Sequence, residues 1–212
     1  MPLEAQGKRE VLEALREALR EGLGVESTLV CNSDDDCRLW VFEPDAHKLN
    51  LLDERLAEAA YGEKIFDDGR LKIFIRALDK RRVEVTIAKE AEGEPWVYQD
   101  VYRIGTKARG IRWTCRRGKC RLRIGDDYLL ALVAQSRKAS EAVFGVVVYE
   151  EEDFRVHIDE DLKPTFVMRR GGAWRPLLAE REGDRFVVYG DREDLEELRR
   201  RLERMGIGLD PP

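Results

Sequence analysis

Histidine and the side-chain amides are nearly missing from this 212-residue chain. His47 and His157 are the only histidines, and Asn32, Asn50, Gln6, Gln99 and Gln135 are the only amides. The chain lacks a Gly-x-x-x-x-Gly-Lys-Ser/Thr phosphate loop, a strand-borne Gly-x-Gly-x-x-Gly, a His-Glu-x-x-His helix and a Gly-x-Ser-x-Gly turn. Their absence removes the commonest signatures of nucleotide hydrolysis, dinucleotide binding, zinc proteolysis and serine hydrolysis. His47 is expected at the exposed start of a helix. His157, within Val156-His-Ile-Asp159, is expected to be a packed strand residue rather than a base. No run approaches the roughly 18 apolar residues of a membrane span. The first ten residues lack the apolar centre of a signal peptide, so a soluble cytoplasmic protein without membrane attachment is expected.

Charge is what the chain has in excess. Asp, Glu, Lys and Arg make up 38% of it, against about a quarter in ordinary domains. Abundant Glu and Arg with few amides is the composition of a thermophile, of archaeal type, in which ion-pair networks gain value at high temperature. The formal total is -5, yet residues 101–125 hold nine cations and no acid. Removing those nine leaves -14 for the remainder, so the tract is a local reversal of sign. Such a block on an acidic body is an electrostatic footprint for a polyanion, most often nucleic acid.

The same tract reads as a β-hairpin. Ile111 to Cys115 and Cys120 to Ile124 alternate with period two around Arg116-Arg117-Gly118-Lys119, which reads as a four-residue loop. Pairing Cys115 with Cys120 places Trp113 opposite Leu122 and Ile111 opposite Ile124 on an apolar face. Arg112 opposite Arg123 and Thr114 opposite Arg121 then form a cationic face. Opposed like charges are destabilising, so the arrangement requires a reason. One reason is a polyanion. The other is neutralisation by acids from elsewhere, such as Glu150-Glu151-Glu152-Asp153.

The four cysteines form two pairs, each flanking a turn. Cys31 and Cys37 enclose Asn32 to Asp36, and Cys115 and Cys120 enclose the basic loop. Three readings compete: two cross-strand disulfides, one shared zinc site with knuckles wider than usual, or four reduced core thiols. With no adjacent histidine, a nucleophilic cysteine is not expected.

The remaining pattern predicts an α+β fold of mostly antiparallel hairpins with about four packed helices. Lys8 to Leu23 is an amphipathic helix with Val11, Leu12, Leu15, Ala18 and Leu19 on one stripe, stopped by Gly24. A hairpin follows around the Asp turn. A helix then runs from Pro44-Asp45 to about Ala60, with Leu49, Leu52 and Leu56 inward. Hairpin strands are predicted over 70–77 and 82–88, a strand over 96–104 and one long buried helix over 127–143. Five more strands follow, over 144–149, 154–158, 165–169, 174–179 and 185–189. Asp191 caps a last helix, with Asp194 completing a variant capping box. Glu90 to Pro95 is the best linker, giving subdomains 1–89 and 96–212 unless the chain is one continuous domain. The spacing Val41, Asp45, Leu49, Leu52, Leu56 recurs at Val187, Asp191, Leu195, Leu198 and Leu202, as any Asp-capped helix after a strand would give.

The leading expectation is non-catalytic nucleic-acid binding, RNA or ribonucleoprotein ahead of DNA, with no cofactor. Arg112, Arg116, Arg117, Lys119, Arg121 and Arg123 would contact phosphates. A second cluster, Arg169, Arg170, Trp174 and Arg175, repeats the Gly turn with arginines and a tryptophan that could stack on bases. The alternatives are a protein-docking or self-assembly module, with a homo-oligomer as one outcome, and a metal-dependent nucleotidyl-transfer enzyme. In the last, Asp34, Asp35 and Asp36 would bind magnesium with help from Asp159 or Asp161, although Asp is also a favoured turn residue.

Overall fold

The computed structural model describes residues 3–23, 25–41, 51, 53–90, 95–117 and 119–208. The fold is α+β, dominated by antiparallel strands with five packed helices among the described residues. By its internal contacts the chain forms two compact units. The first comprises Met1–Gly62, Asp67–Lys72 and Ile87–Tyr98; the second comprises Glu63–Phe66, Ile73–Thr86 and Gln99–Pro212.

In the first unit, β1 (Leu3–Gly7), β2 (Ser27–Ser33) and β3 (Asp36–Val41) form an antiparallel sheet of order β1-β3-β2. Alternation in β3 buries Cys37, Leu39 and Val41 and leaves Arg38 outside. Helix α1 (Arg9–Leu23) places Leu12 and Leu19 against these residues. Val11, Leu15 and Ala18, expected on the same stripe, are exposed, because a three-stranded sheet covers only a narrow strip of the helix. Strand β1, a run of Leu-Glu-Ala-Gln-Gly, carries no β-branched residue and so no readable strand signal.

Helix α2 (Glu54–Tyr61) begins at Asp53, whose carboxylate accepts the N–H groups of Arg55 (2.8 Å) and Leu56 (3.1 Å). It buries Ala57 and Tyr61, while Leu56, expected inward, is half exposed. Gly24, Asp45, His47, Leu49 and Leu52, and with them the proposed recurrence of spacing, lie outside the described residues. Strands β4 (Glu63–Asp67), β5 (Leu71–Ala77), β6 (Arg82–Glu90) and β7 (Pro95–Arg103) form a sheet in sequence order. Its turns are set by Asp68, which accepts from the backbone of Arg70 and Leu71, and by Asp79, which accepts from that of Arg81 and Arg82. Of the expected linker, residues 91–94 lie outside the described residues.

In the second unit, β8 (Ile111–Arg116) and β9 (Lys119–Ile124) form a separate hairpin that leads into α3 (Asp126–Gln135) and α4 (Arg137–Phe144). The single helix expected over 127–143 is therefore two. Ser136 interrupts it in extended conformation, and its Oγ caps α4 by accepting from Ala139 N at 3.0 Å while donating to Glu63 at 2.6 Å. Tyr128, on the helix expected to be buried all round, is half exposed. Gly145 ends α4 at φ +98°, and a Cβ there would lie 2.2 Å from the Ile158 carbonyl oxygen, so only glycine fits.

Strands β10 (Val146–Glu151), β11 (Phe154–Ile158), β12 (Pro164–Arg170), β13 (Ala173–Glu182) and β14 (Arg185–Val188) form an antiparallel meander. On one face Phe154, Val156, Phe166, Met168 and Leu177 pack with Leu198 and Leu202 of α5 (Arg192–Arg204). Arg155 and His157 alternate with that set and belong to the opposite face. Helix α3 lies against β13, and α4 against β10 and β11. The expected capping box at α5 does not form. Asp191 takes the cap position without a side-chain bond, and Asp194 is buried beside Arg170. The stronger acceptor interaction, with a guanidinium, has claimed the carboxylate.

Leu198 is fully buried at the centre of this core. Leu198→Ala should lower stability by about 2–5 kcal/mol. Urea unfolding should show a lower midpoint with an unchanged slope.

Candidate nucleic-acid interface

The hairpin adopts the register its sequence predicts: Ile111 faces Ile124, Arg112 faces Arg123, Trp113 faces Leu122, Thr114 faces Arg121 and Cys115 faces Cys120. Arg116 also pairs with Lys119, so the expected four-residue loop closes to a two-residue turn with Arg117 at φ +50°. Both cysteine pairs are disulfides, Cys31–Cys37 and Cys115–Cys120. The zinc and reduced-thiol readings are therefore set aside. Flanking each two-residue turn with directly opposed cysteines brings the sulfurs within bonding reach.

The apolar face is divided between its strands. On β9, Leu122 and Ile124 are buried at 7% and 8% exposure, while on β8 Ile111 and Trp113 remain 56% and 44% exposed. Strand β9 is thus the inner strand, with the Tyr102 hydroxyl donating to the Leu122 carbonyl at 3.3 Å. Every residue of β8 is exposed.

A polar clamp holds the base. Asp126, the first residue of α3, does not cap its own helix. Its carboxylate instead accepts the N–H groups of Gly105 (2.9 Å) and Lys107 (3.4 Å) and the Thr106 hydroxyl (3.4 Å). Asp127 accepts from Gly110 N, Gly125 N donates to the Gly110 carbonyl, and Asp126 N donates to that of Ala108. These bonds fold residues 105–110 over the N-terminus of α3, where carboxylates are favoured. Sequence reasoning missed this role. The motif Gly125-Asp126-Asp127 after a strand reads as an ordinary helix start, and nothing local shows that its acids serve a loop some twenty residues earlier.

Arg112, Arg116, Arg117, Lys119, Arg121 and Arg123 are all exposed, and none has an ion-pair partner among the described residues. Arg103, Lys107 and Arg109 share that state. Three acids of the run proposed as their counter-charge, Glu150, Glu151 and Asp153, are engaged elsewhere. Glu150 pairs with Arg137 and Arg155, Glu151 lies 3.7 Å from Arg201, and Asp153 binds the Arg201 guanidinium through both oxygens at 2.8 and 2.6 Å. Arg201 accordingly holds its proton above the usual arginine value, chiefly through Asp153, and Asp153 sits below the usual carboxylate range for the same reason.

The second cluster is differently placed. Arg170 pairs with Glu193 and, at 2.8 Å, with Asp194. Arg175 lies 4.0 Å from Asp194, while Arg169 is exposed. The Trp174 ring lies under the Arg155 guanidinium, 3.9 Å from its centroid, with Arg169 at 6.0 Å. The Trp174 backbone is bonded both ways to the Gln135 amide. Arg170 and Trp174 therefore have intramolecular partners that the hairpin cations lack among the described residues.

The Asp turn is tied to the start of α1. Asp34 lies 3.2 Å from Arg9, Asp35 lies 3.7 Å from Lys8, and Asp36 accepts from Asn32 (3.0 Å) and Gln6 (3.2 Å), which hold its pKa down. The Asp159 carboxylate accepts the N–H groups of Asp161 and Lys163. Among the described residues, no group of three or more His, Cys, Asp or Glu side chains is placed to hold a metal ion.

His157 is fully buried, packed edge-on against Phe144, with Nδ1–H donating to the Gly145 carbonyl and Nε2 without a partner. It is the packed histidine its strand suggests. Burial pushes its pKa below the ordinary value, with Arg155 and Arg137 acting in the same direction and the Gly145 bond and Glu141 opposing.

Two outcomes follow from these contacts. A Cβ at Gly125 would sit 2.6 Å from the Ala108 carbonyl oxygen and 2.7 Å from Arg109 Cα, so Gly125→Ala should break the clamp. Amide exchange should accelerate over residues 105–124, with a loss of about 1–3 kcal/mol in stability. For His157, the unfolded chain binds a proton below about pH 6.5 that the native site refuses, so stability should fall as pH drops from 7 towards 5. The slope from this group cannot exceed about 1.4 kcal/mol per pH unit, and urea titrations of His157→Phe should show it flattened.

Comparison with protein-family models, curated proteins and solved structures finds no match to this chain.

Proposed function

We propose that the chain is a non-catalytic nucleic-acid-binding protein whose β8–β9 arm grips phosphates, with structured RNA or ribonucleoprotein preferred over DNA. The observation that carries this reading is the set of six exposed arm cations without a carboxylate partner among the described residues. In the same unit, Arg137, Arg170 and Arg201 are each paired with acids. An acidic protein that leaves one arm uncompensated retains an attraction for polyanions.

The arm's chemistry favours backbone contacts. Between Ile111 and Ile124 there is no Asn, Gln, Asp or Glu with which adenine or cytosine edges are commonly read. Arginine and lysine contacts to phosphate supply register and affinity rather than sequence. Recognition through shape and phosphates is the usual mode for folded RNA, which supports the preference for RNA. The segregation of charge within the chain also supports a second reading, docking of the arm on an acidic protein surface or on another copy. Salt-dependent elution without bound nucleic acid would favour that reading.

If about five phosphates are neutralised, log K should fall with log salt at a slope near -3.5 to -4.5, depending on strandedness. Replacing Arg116, Arg117 and Lys119 by Ala should weaken binding to a folded RNA and flatten the slope by about 2–3. Unchanged affinity in that triple variant would overturn the proposal.

A further inference from the structure

The two disulfides join hairpins of the same design in opposite surroundings. Cys37 is fully buried and Cys31 half-buried, within a core that also holds Leu12 and Leu39. Their strands are supported by a third, β1, and their turn is tied to α1 by Arg9–Asp34 and Lys8–Asp35. Opening this bond would leave β3 paired on both edges and β2 still paired with β3 and packed against α1. Cys115 and Cys120 are both exposed, on a ladder that has two strands among the described residues.

That second ladder is also under electrostatic load. Arg112 faces Arg123, Arg116 faces Lys119, and Arg121 lies between on the same face. Two-stranded hairpins are marginal in water, and directly opposed like charges destabilise them further. The apolar contacts of Leu122 and Ile124 and the Asp126 clamp lie towards the base of the arm. Next to the turn, the covalent bond is what opposes the repulsion of Arg116 and Lys119.

We propose that the Cys115–Cys120 disulfide is a redox gate on this arm. A dithiol reductant opens it while Cys31–Cys37 stays closed, and the opened arm loses much of its hold on phosphates. The gate rests on the phosphate-binding reading above. In the first step a thiolate of the reductant attacks one sulfur of the pair, the protein S–S bond breaks, and a mixed disulfide forms as the other cysteine leaves as a thiolate. The reductant's second thiol then displaces the remaining cysteine. Two electrons and two protons pass to Cys115 and Cys120, and the reductant ends as its own disulfide. Arg116, Lys119 and Arg121 adjoin the two cysteines in the chain, on the opposite face of the ladder, and their positive field attracts an anionic thiolate towards the arm. Once open, the strand ends separate under their own charge, and the arm must be ordered again on binding, which lowers affinity.

The test uses the full chain. Graded dithiothreitol followed by alkylation and peptide mapping should label Cys115 and Cys120 at concentrations that leave Cys31 and Cys37 unlabelled. Amide exchange over residues 111–124 should rise in parallel. A folded RNA hairpin should then bind the oxidised protein about tenfold or more tightly than the selectively reduced protein or a Cys115→Ser/Cys120→Ser variant. A Cys31→Ser/Cys37→Ser variant should bind as the oxidised protein does. Equal binding by the oxidised and open forms overturns the gate and leaves the phosphate reading standing. Labelling of Cys31 and Cys37 first, or together with the other pair, also overturns the gate. Failure of the oxidised protein to bind any RNA overturns the phosphate reading, and the gate with it.

Discussion

Repulsion between cations on a two-stranded ladder is the constraint around which the second unit is organised. Arg112 against Arg123 and Arg116 against Lys119 are pairings that a hairpin would avoid if stability alone mattered. Three unrelated devices oppose them. A disulfide crosses next to the turn, Leu122 and Ile124 are buried beneath the inner strand, and the Asp126 clamp fastens the approach loop to the helix that follows. Each acts at a different height on the arm, so the charged face is held between two fixed ends.

The distribution of acids completes the arrangement. Glu150, Glu151 and Asp153 lie close to one another in sequence and pair with Arg137, Arg155 and Arg201. Asp194 binds Arg170 and approaches Arg175. These pairs fasten α4 and α5 to the five-stranded sheet. Exposed ion pairs add little individually, but Arg201 is largely buried among Glu151, Asp153 and Glu197, where removing one partner would leave a charge poorly compensated.

Much of this was legible along the chain, and the arm most of all. Its register follows from two cysteines placed symmetrically about a short turn, and from Trp113, Leu122, Ile111 and Ile124 falling in phase with them. The strands of the meander were legible for a related reason, since runs such as Phe154 to Ile158 and Thr165 to Arg169 carry β-branched and aromatic residues between turn signals. Strand β1 was not, because Leu-Glu-Ala-Gln-Gly has no strand preference and is a strand only because β3 offers it an edge. The break at Ser136 was hidden inside an apolar run, and the serine reveals itself as a cap only when Glu63 and Ala139 are both in reach.

By itself, the sequence determined the class of fold, the facing residues of the Cys115–Cys120 hairpin, and the concentration of nine cations in one acid-free tract. These are consequences of periodicity and of neighbours a few residues apart, which local sterics and alternation govern. Only the tertiary structure decided which charges would be neutralised. Arg170 and the hairpin arginines look alike in sequence, yet Arg170 meets an acid 24 residues away and Arg201 meets one 48 residues away. The hairpin arginines meet none among the described residues. Ion pairing depends on distance in space, and chain topology sets that distance without leaving a periodic trace in the sequence.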